Sequence, residues 1–135
     1  MVQTQLIVLA EGCGVAKNKA CAIARGMYFA FQDIDDEMMP SRLKEQFESA
    51  LELGPEYIIG SKILREPEDS TVRYTRWLNN LPLNLLEKRL LTSHGPSIAM
   101  PTWFLHRDVF ERIGGFSNKG RGYPEQSSTC GIIMP

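Results

Sequence analysis

Apolar residues along the chain fall into short runs separated by amphipathic stretches. "QLIVLA" (residues 5–10) has the continuity and length of a buried strand. In the following "GVAKNKACAIARG", Val15, Ala16, Ala20 and Ile23 recur at helical spacing, and Gly26 stands at a C-cap position. "MYFAFQ" is brief, aromatic and apolar, which predicts a strand buried on both faces and ending at Asp33. The most regular helix is "PSRLKEQFESALELGP": Pro40 opens it, Leu43, Phe47, Ala50 and Leu51 form one stripe, and Gly54-Pro55 stop it. "EYIIGSKILR" reads as another strand, and "TVRYTRWLNN" and "LPLNLLEKRLLTSHG" read as helices. "SIAMPTWFLH" resembles a strand with an edge or bulge at Pro101, and "RDVFERIGGF" a short helix closed by Gly114-Gly115. The tail "QSSTCGIIMP" has no period.

Helix and strand alternate from residue 5 to residue 65. That order predicts an α/β fold, a mostly parallel Rossmann-like sheet with helices on both faces. At 135 residues the chain suits one modest domain or part of a larger one. A net charge of −1 argues against nucleic acid, whose phosphates require clustered excess Lys and Arg. No apolar run approaches the ~20 residues that span a bilayer. The start lacks a basic segment ahead of "LIVLA", and Cys13, Cys21 and Cys130 are odd in number without C-x-x-C spacing. Free thiols in a reducing, cytoplasmic setting are the simplest expectation. His94 and His106 have no zinc-site partner spacing and read as structural.

The feature that calls for chemistry is "FAFQDIDDEMMP", with Asp33, Asp35 and Asp36 crowded at a strand end. Ligands of open α/β sheets bind at the carboxyl ends of strands. Carboxylates there can hold Mg²⁺ or Mn²⁺, which keeps several waters and takes phosphate oxygens as further ligands. Acidic residues ahead of a helix also favour its positive end by ~0.3–1 kcal/mol each, which suffices for Glu37. A haloacid-dehalogenase-type D-x-D-x-T motif would make Asp33 a nucleophile, but Glu37 fills the threonine slot and no later acidic pair completes a metal site.

Three segments in order resemble a family 2 glycosyltransferase. "GVAKNKACAIARGMYFAFQDIDDEMMPSRL" combines a Gly-rich loop, an A-[RK]-N-like helix start, a strand into D-x-D-D and a P-x-R-L helix. "MPTWFLHRDVFERIGGF" matches a later strand, helix and G-G-F turn, and "YPEQ" falls where the family places an E-D pair. The resemblance covers about residues 12 to 125. It implies a GT-A fold that transfers a sugar, N-acetylglucosamine or a related hexose, from a UDP-sugar to an acceptor hydroxyl with inversion. Mn²⁺ or Mg²⁺ would be held by Asp36 and Asp35, with Asp33 a further candidate. Lys17, Asn18 and Asp35 would contact the nucleotide sugar. Trp103, Gly114 and Gly115 would lie toward a glycan or other hydroxyl acceptor, and Glu125 is the candidate base.

Two departures qualify this reading. Eleven residues precede the Gly-rich loop, whereas a βαβ unit needs ~30. The chain therefore reads as a partial domain over residues 1–126, lacking the first βαβ unit and uridine site, with a divergent tail at 127–135. Such a sheet would expose edges and apolar faces and tend to aggregate. The E-D pair is Glu125-Gln126, and a neutral amide cannot take a proton as a carboxylate does. A non-catalytic remnant that binds a nucleotide sugar, a glycan or a protein is the alternative.

Overall fold

The computed structural model describes residues 12–82, 84–86, 89 and 97–116. The elements are α1 (Cys13–Ile23), β1 (Tyr28–Ala30), α2 (Arg42–Leu53), β2 (Ile58–Ile59), α3 (Val72–Asn79), a 3₁₀ turn (Met100–Thr102), β3 (Phe104–His106) and α4 (Arg107–Arg112). The strand expected over residues 5–10, most of the helix expected over 81–95, and everything beyond 116 lie outside the described residues.

The sheet differs from the expectation. Its three strands are ordered β1-β3-β2, and β3 runs antiparallel to both neighbours. Tyr28, Phe29 and Ala30 face His106, Leu105 and Phe104, while Ile58 and Ile59 face Leu105 and Phe104. The two outer strands thus share a direction, with a reversed strand between them. Strands apolar on both faces fit either arrangement, so their composition left the direction open.

Alternation along the strands sends Phe29, Leu105 and Ile58 to one face. There they join Cys21 of α1, Val109 and Phe110 of α4, and Phe31 and Trp103 in one cluster around Leu105, which is 1% exposed. Tyr28 and Phe104 stack on the opposite face, and the edge of Phe47 on α2 meets Tyr28. Helices therefore cover both faces, as expected. Arg107 locks the cluster's rim by donating to the carbonyls of Ala24 and Gly26 while lying over the Phe29 ring. His106 accepts from the Asp108 N–H and caps α4, a structural role.

Two helix faces also depart from the pattern. On α1 the buried residue is Cys21, whereas Ala20 and Ile23 are exposed, and the chain leaves the helix at Ala24 rather than Gly26. On α2 the buried side is Arg42, Gln46 and Ala50, while Leu43, Phe47 and Leu51 remain 42–65% exposed. The cause is hydrogen bonding. Gln46 Nε2 donates to the carbonyls of Ile59 (3.1 Å) and Thr102 (2.8 Å), and its Oε1 accepts from Arg42 Nε (3.1 Å). Arg42 reaches on to the Phe31 carbonyl (2.9 Å) and Gln32 Oε1 (2.7 Å). This ridge supplies donors to carbonyls at and just beyond the strand ends, and docking the leucine stripe instead would remove those donors. Burial pulls the Arg42 guanidinium down from its usual range, opposed by the charge of Asp36.

Candidate functional site

The site forms where β1 runs out. Phe31 N–H donates to the Trp103 carbonyl (2.9 Å), and beyond it Asp33 to Asp36 make a turn closed by Asp36 N–H to the Asp33 carbonyl (3.3 Å). Ile34, Asp35 and Asp36 are exposed at its tip. The acidic stretch is therefore a projecting loop rather than a buried strand end.

Lys17 of α1 reaches this loop. Its Nζ lies 3.8 Å from Asp33 Oδ1 and 5.7 Å from the centroid of the Phe116 ring, and it donates to Met100 Sδ. Only 26% of its side chain is accessible, so it packs against the body of the fold rather than lying on a solvated helix face.

Asn18, the next residue, pairs with the backbone of the G-G-F turn. Its Nδ2 donates to the Phe116 carbonyl (2.9 Å), and its Oδ1 accepts from the Phe116 N–H (2.8 Å). Gly114 and Gly115 hold φ of 79° and 72°, a left-handed pair that L-residues resist. A Cβ on Gly115 would sit 2.7 Å from Asn18 Oδ1, so the side-chain clasp and the glycine require one another.

Phe116 then folds back, stacked on Trp103 at 6.1 Å and meeting the edge of Phe31 at 5.3 Å. Trp103 is 4% exposed and its Nε1 donates to the Ile98 carbonyl. Its ring forms the floor beneath Phe116.

Residues separated by up to a hundred positions thus converge: Lys17 on Asp33, Asn18 on Phe116, and Gly115 against Asn18. Asp35 and Asp36 extend from the same loop. Glu125 and Gln126 lie outside the described residues. Gln32, Arg42, Gln46 and Phe116 do not stand out in the sequence as site residues. For Arg42 and Gln46 the sequence signal is their i, i+4 spacing in line with Ala50, which a hydrophobicity pattern scores as solvent-facing.

Among the described residues no three His, Cys, Asp or Glu side chains gather as a closed metal site. Mg²⁺ and Mn²⁺ do not need one, since one or two carboxylates with waters and substrate phosphates suffice. An exposed pair of adjacent aspartates fits such a substrate-completed site. An open groove of about 500 Å³ lies along α3, lined by Arg73, Arg76, Trp77, Leu81, Leu85 and Arg89 among others, and includes no residue of the acidic loop.

The glycosyl transferase family 2 profile matches residues 5–114, most of the chain. The chain belongs to this family. A 36-residue stretch is 53% identical to an uncharacterized glycosyltransferase of Methanocaldococcus jannaschii, covering 27% of this chain and 12% of that relative. The match thus spans only a small part of that relative's length. No solved structure matches it. Family membership agrees with a mixed helix and strand unit, and among the described residues no helix is long and apolar enough to cross a membrane.

Proposed function

We propose that this glycosyl transferase family 2 chain handles a UDP-sugar at the loop after β1 and supports transfer of its sugar to a hydroxyl acceptor. The observation that carries the reading is the meeting of Lys17 and Asp33 at 3.8 Å, inside the segment that matches the family.

Asp36 and Asp35 would hold Mn²⁺ or Mg²⁺, which when bound supplies positive charge opposite the departing diphosphate. The chain's own contribution is positional. Lys17 adds a cation beside Asp33, suited to phosphate or sugar oxygens at the rim of the loop. The Asn18 clasp sets the G-G-F turn and with it the wall formed by Phe116, on the acceptor side of the proposal. In transfer, the acceptor oxygen bonds to the anomeric carbon from the face opposite the diphosphate, and the bond from that carbon to the diphosphate oxygen breaks. The acceptor proton passes to a carboxylate, for which Glu125 is the candidate.

A second reading, binding without transfer, is favoured by Gln126, an amide in the slot the family resemblance assigns to a carboxylate. Both readings expect UDP to raise the unfolding temperature only when Mn²⁺ is present, and expect Asp36→Asn to abolish that shift. Release of UDP from UDP-N-acetylglucosamine separates them. A UDP shift that persists undiminished in Asp36→Asn would refute the placement of the cation.

A further inference from the structure

Arg42 is 8% exposed, yet among the described residues no carboxylate lies within ion-pair distance of it. A buried cation whose opposing charge, that of Asp36, makes no direct contact is costly and persists only where its hydrogen bonds are well placed. Of its three bonds, the one to the Phe31 carbonyl docks α2 on the sheet, and the one to Gln46, within α2, orients the amide that reaches Ile59 and Thr102. The third does something else. Its Nη1 donates to Gln32 Oε1 at 2.7 Å, and Gln32 is an exposed residue that docking does not require.

With Oε1 engaged by a donor-only guanidinium, the Gln32 amide has one orientation, its NH₂ directed away from Arg42. That NH₂ donates to the Asp36 carbonyl at 2.9 Å and the Asp33 carbonyl at 3.4 Å. The loop's own backbone supplies one long bond, Asp36 N–H to the Asp33 carbonyl at 3.3 Å. The tip has no packing to hold it, since Ile34 is fully exposed. Among the described residues, the side-chain hydrogen bonds to the backbone of this loop come from one glutamine amide, oriented by one arginine, while the Asp33 carboxylate is separately joined to α1 by Lys17.

We propose that Arg42, acting through Gln32, is a positioning residue that fixes the backbone of the 33–36 loop and so sets how Asp35 and Asp36 present their carboxylates. The functional meaning of this device rests on the reading of the loop as the cation and diphosphate site. The mechanical claim does not. Lysine cannot replace the arginine, because a single ammonium cannot span Gln46, Phe31 and Gln32 in the planar fork that a guanidinium provides.

The test uses the full 135-residue chain, ¹⁵N-labelled, with Mn²⁺ alone as the metal probe. Gln32→Ala removes an exposed side chain but also takes one acceptor from Arg42, so a modest drop in the unfolding midpoint is expected, with the chain still folded at the temperature of measurement. Backbone order parameters at Ile34, Asp35 and Asp36 should fall from near ~0.8 to below ~0.6, while those of α2 stay put. Arg42→Lys should reproduce the loss. Mn²⁺ affinity, read by electron paramagnetic resonance, should weaken about fivefold in Gln32→Ala, one hydrogen bond's worth. Order parameters that stay unchanged in both variants overturn the proposal. A wild-type chain that takes up no Mn²⁺ removes the cation reading. The order parameters then still decide the positioning claim, supporting it if they fall and overturning it if they do not.

Discussion

The docking of α2 is the feature most open to a decisive perturbation, because the helix offers two faces and the structure uses the more polar one. Gln46→Leu keeps roughly the volume of the side chain and raises its hydrophobicity, so a pattern-based view predicts little harm. The structure predicts the reverse. Gln46 is 3% exposed, and leucine would leave Arg42 Nε, the Ile59 carbonyl and the Thr102 carbonyl without their partner. One charge-assisted bond is worth about 1.5–3 kcal/mol and each neutral one about 1 kcal/mol, and leucine burial returns part of that. A net loss of about 3 kcal/mol is expected, lowering the unfolding midpoint by about 10 °C in a chain of this size. The control is Leu51→Gln, on the stripe that is 65% exposed, which should change stability by no more than about 0.5 kcal/mol. Urea and thermal unfolding followed by circular dichroism measure both, with an unchanged urea slope confirming that stability moved rather than compactness. If Leu51→Gln proves the more damaging, α2 docks through its leucine stripe and the buried polar ridge is wrong.

Other expectations follow from the clasp and from the thiols. Asn18→Ala removes both bonds to Phe116 and should cost about 2 kcal/mol by chemical denaturation, while Gly115→Ala should cost at least as much, since its left-handed φ and the 2.7 Å approach to Asn18 Oδ1 act together. Equal stability of Gly115→Ala and the parent chain would remove the clasp from the account. Burial pushes the Cys21 thiol up from 9.0 to about 11, against the lowering influence of Arg107. The thiol therefore stays protonated in the folded chain where the unfolded chain has already lost its proton. Its contribution is intact below pH 9 and is lost as pH rises from 9 toward 11, a decline that Cys21→Ala should flatten. Exposed Cys13 should react with iodoacetamide at pH 8.5 well before Cys21 does, as peptide mapping would show.

Local periodicity was enough to locate most elements. The helices around Cys13–Ile23, Arg42–Leu53, Val72–Asn79 and Arg107–Arg112 follow from spacing and glycine stops, because a helix is closed by bonds within its own segment. The paired glycines were legible for the same reason, as turn chemistry written in neighbouring residues, whereas the acidic stretch, expected at a buried strand end, projects as a loop. Strand direction was not, because it depends on how β3 returns between β1 and β2 and leaves no trace in a strand apolar on both faces. Nor was the length of β2. Its ladder holds two residues, since β3 begins only after the 3₁₀ turn that contains Pro101, a residue with no N–H to pair. The buried face of α2 was hidden most deeply. Arg42 and Gln46 look like solvent-facing residues by their average preference for water. What buries them is a set of carbonyls contributed by Phe31, Ile59 and Thr102, which come together only when the three strands do. In the same way the sequence names Lys17, Asn18, Asp33 and Gly115 one by one. Their meeting at one end of β1 belongs to the packing of α1 and the G-G-F turn against the sheet.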